Sequence, residues 1–141
     1  MHHIAINVSD MNKSMRFYQE VLGFKLLFPP QEGSGAELEK AVKVPNVKLK
    51  YAMLQTGNAC VELIQYLNPI GKPYDRRNCD TGNMHLAFRV PDVDKAYAEL
   101  KEKGVKFNSP PVKISSGHLK DCAFAYFTDP DGVTLEIFKN R

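Results

Sequence analysis

An internal repeat places the strongest constraint on how this chain can fold. The opening segment, MHHIAINVSD at residues 1–10, returns as NMHLAFRVPD at residues 83–92. The residues that recur at matching positions are His3 with His85, Ala5 with Ala87, Val8 with Val90, and Asp10 with Asp92. A repeat in register predicts two halves built on one plan. The chain has 141 residues and 43% hydrophobic content, which is enough to bury a core.

Alternation along both copies predicts a β-strand in each, because side chains two residues apart point to one face of a sheet. One face of each predicted strand is apolar and suits packing under a helix. The other face holds a histidine, then a small alanine that leaves space, then a polar residue, which is unlike a packing surface. The apolar sets are Ile4, Ile6, Val8 and Leu86, Phe88, Val90; the opposite sets are His3, Ala5, Asn7 and His85, Ala87, Arg89.

The first half of the chain is predicted to follow the order βαβββ. After the opening strand we expect a helix over residues 11–22 that ends at Gly23, and then a strand over residues 24–28. Prolines and glycines within residues 29–35 predict an exposed loop, and residues 36–44 a short helix. Two strands over residues 48–54 and 59–66 complete this half.

The second half is predicted to repeat that order. We expect a strand over residues 84–90, a helix from residue 93 that is closed by Gly104, and strands over 105–108, 122–128 and 133–139. Residues 109–121 form a long loop and a candidate lid. The whole is predicted to be one α+β domain, with module one at 1–67, a linker at 68–82 and module two at 83–141.

Composition and charge exclude several classes of partner. The formal charge of +3 comes from interspersed basic and acidic residues, so no basic stripe is present for nucleic acid. No apolar run approaches the length of about 20 residues that spans a bilayer, and no signal-peptide pattern is present. The three cysteines, Cys60, Cys79 and Cys122, lack a C-x-x-C spacing and suit reduced thiols. We therefore expect a soluble, cytoplasmic protein that binds neither nucleic acid nor membrane.

A glutamate lies among apolar residues in the last strand of each half, Glu62 in CVELI and Glu136 in TLEIF. A carboxylate in such a strand must be paired, protonated or bound to a cation, because an unpaired buried charge costs several kcal/mol or more. Each half thus supplies one histidine and one glutamate. Alone, His3 or His85 is better explained as a strand-start histidine with an ordinary hydrogen bond. Helix packing gives no reason to repeat both polar residues in register, so the repeat favours a divalent-metal site with open coordination positions.

Four segments carry a resemblance to a known family: HHIAINVSD with the following SMRFYQEVLGF, VELIQY, MHLAFRVPDVD, and DPDGVTLEIF. The chain resembles the vicinal oxygen chelate superfamily of glyoxalase I, methylmalonyl-CoA epimerase, extradiol dioxygenases and bleomycin-binding proteins. The resemblance implies that two βαβββ modules form a cupped, partly open eight-stranded mixed sheet with helices outside. It also implies a homodimer and one divalent ion per site, Zn²⁺, Ni²⁺, Co²⁺, Mn²⁺ or Fe²⁺. The ligand positions fall on His3, Glu62, His85 and Glu136.

A carboxylate in both modules directs the resemblance toward the isomerase, epimerase and lyase branch. A glyoxalase I-like lactoylglutathione lyase or an epimerase would remove a proton next to a carbonyl of a small oxygen-rich metabolite, thioester or thiol adduct. The resulting enolate would be stabilised by the ion, with Glu62 and Glu136 as the catalytic proton carriers. The alternatives are a mononuclear iron ring-cleaving dioxygenase, which needs two histidines and one glutamate, and a non-catalytic small-molecule-binding or antibiotic-resistance protein.

Further polar residues are candidates for binding the substrate. Arg89 and Asn7 share the faces of His85 and His3, and either can bind a carboxylate or phosphate. The structural alternative is that Arg89 forms a surface salt bridge with a nearby acidic residue. Tyr66, with Cys60, is expected to line the cavity. His118, in the long loop, is expected to be solvated.

Overall fold

The computed structural model describes residues 1–141 as two compact units, Met1–Pro73 and Tyr74–Arg141. Each unit contains a four-stranded mixed sheet together with helical segments. This arrangement confirms the predicted α+β class built from tandem βαβββ modules. None of the helices combines the length and the apolar character that crossing a membrane requires.

The first unit orders its strands β1-β4-β3-β2, with β1 parallel to β4 and the remaining pairs antiparallel. Its helix α1 continues into a π-helical turn over Phe17–Val21. The elements are β1 (Ile4–Asn7), α1 (Met11–Arg16), β2 (Lys25–Ser34), α2 (Ala36–Val42), β3 (Lys48–Thr56) and β4 (Ala59–Asn68).

Helix α1 begins where the sequence supplies a cap. The Asp10 side chain accepts a hydrogen bond from the backbone N–H of Lys13, which satisfies one of the free donors of the first turn. The Gln65 side chain then links this corner to β4, because it accepts from the Met11 N–H and donates to the Ser9 carbonyl. Strand β1 is thereby held beside β4, where the site lies.

Strand β2 corrects the prediction of an exposed loop over residues 29–35. The strand continues through Pro29 and Pro30 to Ser34. Proline cannot donate to a ladder, but β2 is the edge strand of its sheet and its pairing with β3 is irregular around these residues. Prolines are tolerated at edges and bulges. The connection between β2 and α2 is therefore the single residue Gly35.

The second unit repeats the topology of the first. Its strands lie in the order β5-β8-β7-β6, with β5 parallel to β8. Asp92 caps α3 through the Lys95 N–H, as Asp10 caps α1. The elements are β5 (Leu86–Arg89), α3 (Val93–Glu102), β6 (Val112–Lys113), β7 (Ala123–Thr128) and β8 (Thr134–Lys139).

The predicted strand over residues 105–108 is wrong. Phe107 makes only an isolated bridge to Phe127. The strand that flanks β7 on the side away from β8 is β6, which lies inside the predicted long loop. The apolar residues of this stretch pack instead, since the Phe107 ring lies between those of Tyr97 and Phe127. Two prolines follow at residues 110 and 111, and they cannot donate ladder hydrogen bonds. The regular ladder with β7 therefore starts only after the prolines, at β6.

The alternation predicted for β1 and β5 is present in the structure. Ile6 and Val8 are buried, whereas His3, Ala5 and Asn7 are exposed. His85, just before β5, and Ala87 and Arg89 within it are likewise exposed, whereas Leu86, Phe88 and Val90 are half-buried. The cores beneath the sheets are apolar, and their most buried members include Tyr18, Leu54, Val61, Leu63, Val93, Phe127 and Leu135.

Candidate metal centre

Parallel pairing of the first and last strands brings a histidine to a glutamate in each unit. In the first unit Ala5 lies opposite Glu62, and in the second Ala87 lies opposite Glu136. Each alanine follows its histidine by two residues, so both side chains are on the face of the glutamate. The small alanine methyl leaves space there, and the imidazole reaches the carboxylate.

The two pairs have closely similar geometry. His3 Nε2 lies 3.3 Å from Glu62 Oε2, and His85 Nε2 lies 3.0 Å from Glu136 Oε2. We call these the first and second donor pairs. Within either unit, no third histidine, cysteine, aspartate or glutamate joins the pair to form a metal-holding group.

Burial differs between the two members of each pair. The Glu136 side chain is 7% exposed and that of Glu62 is 19% exposed, whereas the imidazoles of His85 and His3 are 46% and 36% exposed. The carboxylates are thus set into the sheet and the imidazoles lie toward the outside. A ligand can reach each pair from the imidazole side.

The donor pairs fit the requirements of a divalent cation. Imidazole nitrogen and carboxylate oxygen are both ordinary ligands of such ions, at about 2.0–2.2 Å. Two bonds of that length at right angles place their donor atoms roughly 3 Å apart, which matches the observed separations. A hydrogen bond between histidine and glutamate has a similar length. The in-register repeat of the pair, rather than its length, favours the cation.

The site face is the face of each sheet that carries the donor-pair glutamate. In the first unit Met53 lies directly opposite Glu62, and Phe28 lies beyond it on β2. Tyr51 is paired with Ile64, on the same face as Glu62, and its ring contacts Phe28. This wall is mainly apolar, so the glutamate has few polar neighbours besides its histidine.

The second unit has a tyrosine where the first has methionine. Tyr126 lies directly opposite Glu136, and its ring stands edge-on to the His85 ring with centroids 5.3 Å apart. Burial raises the pKa of Tyr126 above its ordinary value of 10.0, and the charge of Glu136 and a hydrogen bond to that carboxylate act in the same direction. Sequence reasoning missed this residue. Counting back from the turn before β8 would have paired it with Glu136.

The predicted substrate-binding residues lie on the site faces. Asn7 is exposed and Tyr66 is half-buried on the strand of Glu62. Arg89 is exposed, and with the Asn140 amide oxygen turned toward it, Nη2 and Nε both lie 3.1 Å from that oxygen. Its partner is therefore a neutral amide, which leaves the guanidinium charge without a carboxylate.

The segment that leads into the second module contacts the strand of Glu136. Asn78 Oδ1 accepts a hydrogen bond of 2.7 Å from the buried hydroxyl of Thr134, two residues before Glu136 on the same face. Arg77 and Asp80 form an ion pair of 2.8 Å within the same segment. The sequence predicted a linker here, because these residues carry no apolar period. Their fixed position comes from side-chain hydrogen bonds.

Comparisons with known proteins agree with this architecture. A family model described as the Glyoxalase/Bleomycin resistance protein/Dioxygenase superfamily matches residues 1–137. A glyoxalase family protein from Bacillus cereus superposes with a TM-score of 0.77 over 99% of this chain and 93% of its own, at 18% sequence identity. That likeness concerns the fold.

Several curated relatives are enzymes by name, and three of them represent the set. A 2-epi-5-epi-valiolone epimerase from Actinomyces sp is 32% identical and is matched over 97% of this chain and 77% of its own length. The human mitochondrial methylmalonyl-CoA epimerase is 28% identical, over 97% and 72%. The lactoylglutathione lyase of Schizosaccharomyces pombe is 31% identical, over 97% of this chain and 46% of that enzyme. With the family match along nearly its whole length, the chain belongs to the glyoxalase/bleomycin resistance protein/dioxygenase superfamily.

Proposed function

We propose that the protein is a metal-dependent isomerase, epimerase or lyase that moves a proton next to a carbonyl group. The observation that carries this proposal is the repetition of one donor pair, histidine Nε2 against glutamate Oε2, in both units. The names of the relatives, two epimerases and a lyase, support the same class of reaction. The substrate is a small oxygen-rich metabolite, or its thioester or thiol adduct.

His3, Glu62, His85 and Glu136 would together hold one divalent ion, either within one chain or between two copies in a homodimer. Zn²⁺, Ni²⁺, Co²⁺, Mn²⁺ and Fe²⁺ all accept such a donor set. When bound, the ion would supply Lewis-acid polarisation of the substrate carbonyl.

The chain's own residues would carry the proton. Glu62 and Glu136 are the candidate acceptor and donor, and a positioned carboxylate contributes on the order of 10²–10⁴ in rate. The apolar wall around Glu62, with Phe28 and Met53, would keep water from the reacting carbon. Arg89, Asn7 and Tyr66 would orient polar groups of the substrate, Arg89 through the charge that Asn140 leaves without a counter-ion.

Glu62 separates this proposal from a ring-cleaving dioxygenase. A mononuclear iron dioxygenase needs two histidines and one carboxylate, so a second glutamate held against His3 has no purpose in that site. A non-catalytic binding protein would need neither pair. The first donor pair is therefore the feature that favours proton transfer.

Solvent-deuterium exchange tests the proposal. The protein is loaded with Zn²⁺, Ni²⁺, Co²⁺, Mn²⁺ or Fe²⁺ in turn and incubated in D₂O with 2-hydroxy acids, 2-oxo compounds and acyl thioesters. We expect one class to gain deuterium next to its carbonyl only in the presence of metal. Absence of stoichiometric metal binding, or oxygen uptake with a catechol, would overturn the assignment.

The remaining parts of the proposal concern assembly and location. We expect a cytoplasmic homodimer, which light scattering coupled to size-exclusion chromatography and fractionation of the source cells would test. A monomer that binds one ion would exclude a site shared between two chains.

A further inference from the structure

The two donor pairs differ in the residue directly across the neighbouring strand. Glu62 faces Met53, which has no group able to donate to a carboxylate, whereas Glu136 faces Tyr126. The histidine, the glutamate and the alanine opposite each glutamate are repeated in both units. The tyrosine is therefore a feature of the second unit alone.

Tyr126 contacts both members of the second donor pair. It lies directly opposite Glu136 across the β7–β8 ladder, on the same face of the sheet, and its ring lies edge-on to the His85 ring at 5.3 Å with an interplanar angle of 86°. The Phe124 ring also packs against the Tyr126 ring, with the two centroids 5.4 Å apart. These ring contacts restrict the orientation of the Tyr126 side chain, which can in turn restrict the orientations of His85 and Glu136.

On these contacts we propose that Tyr126 is a positioning residue, which holds the Glu136 carboxylate and the His85 imidazole in the orientation that receives the cation. The inference rests on the proposed function. Carboxylates that bind a metal are commonly hydrogen-bonded in turn, and losing such a partner typically costs about 10–100-fold in metal affinity or activity. The first donor pair has no residue of this kind across the neighbouring strand, because Met53 lies opposite Glu62.

The hydroxyl is tested by Tyr126→Phe, which keeps the ring and its packing. Tyr126→Met is a second variant that copies the arrangement around Glu62. Tyr97→Phe is the matched control, because Tyr97 lies on α3 in the same unit and packs on Phe107 away from the donor pair. Thermal unfolding of the metal-free variants establishes that each is folded.

Two measurements are then made on each variant. The first is the histidine ring ¹H–¹⁵N spectrum of the metal-free protein, in which His3 serves as an internal reference. The second is affinity for Co²⁺ by competition with a chromophoric chelator, together with the Co²⁺ absorption bands. For both Tyr126 variants we expect shifted His85 signals, unchanged His3 signals, altered Co²⁺ bands and a loss of about 10–100-fold in Co²⁺ affinity. Tyr97→Phe should match the wild type.

The outcomes separate this inference from the proposed function. If the wild type binds Co²⁺ and both Tyr126 variants match it in affinity and in His85 signals, the positioning role is overturned and the function stands. If the wild type binds no metal, the function fails, and the His85 signals alone decide the positioning role. Unaltered signals in that case overturn both.

Discussion

His85 Nε2 and Glu136 Oε2 approach to 3.0 Å at the point where the first and last strands of the second unit pair in parallel. The carboxylate is nearly buried and the imidazole is half exposed. A buried carboxylate of this kind has to keep a cationic or hydrogen-bonding partner. Removing its charge should therefore change ion binding more than it changes folding.

Glu136→Gln tests that expectation. The amide keeps the shape of the side chain but loses the negative charge, so we expect Zn²⁺ affinity to fall more than about 100-fold and deuterium exchange by about 10²–10⁴. Isothermal titration calorimetry and the exchange assay measure the two effects. Glu99→Gln is the control, because Glu99 lies exposed on α3 beside Lys95. Equal Zn²⁺ affinity in Glu136→Gln and wild type would contradict the proposed ligand.

Ala87→Leu should hinder metal binding at the second donor pair, because the larger side chain occupies the space beside Glu136. Ala87 is exposed and lies opposite Glu136, so a larger side chain fills the space beside the carboxylate with little effect on the core. We expect an unchanged melting temperature and a loss of at least about tenfold in Zn²⁺ affinity. Ala98→Leu, on the exposed side of α3, should change neither quantity. Full affinity in the Ala87 variant would show that the space is not used.

Removing the metal should lower the melting temperature. An ion that binds only the folded state stabilises it by about 2.7 kcal/mol at a free concentration 100 times Kd, which corresponds to roughly 5–10 °C for a chain of this size. Differential scanning calorimetry with Zn²⁺ and with excess chelator measures the shift. Glu136→Gln should show little or none of it. A chelator-insensitive melting temperature in the wild type would count against a bound ion.

Asp92 should make stability depend on pH in the acid range. The hydrogen bond from the Lys95 N–H holds the pKa of Asp92 below its ordinary value of 3.8. The stability that ionised Asp92 contributes is therefore complete at pH values above its pKa in the unfolded chain. It is lost as the pH falls through the lower pKa that Asp92 has in the folded chain. Asp92→Ala should lower the melting temperature at pH 7 and should narrow its difference from the wild type below pH 3.8.

Asp92→Asn is the matched variant for the cap. Its side-chain oxygen still accepts from the Lys95 N–H, so it should retain most of the stability without the acid dependence. Melting curves over pH 2–7 compare the three proteins. An acid dependence that persists unchanged in Asp92→Asn would have to come from other carboxyl groups.

Gly104→Ala should destabilise through the backbone alone. Gly104 has a φ of +87° just after α3, and an added Cβ would meet no atom within 4 Å. The left-handed region costs other L-residues about 1–2 kcal/mol, so we expect a loss of that size in chemical denaturation. Gly71→Ala also meets nothing within 4 Å and lacks a positive φ, so it should be neutral. Equal effects at both positions would contradict the backbone explanation.

The repeat of residues 1–10 at residues 83–92 was sufficient to predict the plan of the fold. It did not predict that each histidine lies against the glutamate of its own unit. Alternation predicted the faces of β1 and β5, and the glutamate in the last strand of each half was the second candidate ligand, after the histidine. The contact between histidine and glutamate within each unit then follows from parallel pairing of the first and last strands.

The wrong and missing predictions concern residues whose structure depends on tertiary contacts and not on the local sequence. Pro29 and Pro30 predict a loop, but they are compatible with a strand at the edge of a sheet, and edge position is not encoded locally. Phe107 looks like a strand residue and instead packs between two rings. Tyr126 was missed because its relevance depends on the register across the β7–β8 turn.

In both units the histidine comes just before the first strand and the glutamate lies in the last. Neither pair can exist until the final strand of its unit has inserted between the first strand and the rest of the sheet. A unit that is partly made or partly folded therefore has single, separated donors. Capture of a cation by such a pair would mark the end of folding and would not precede it.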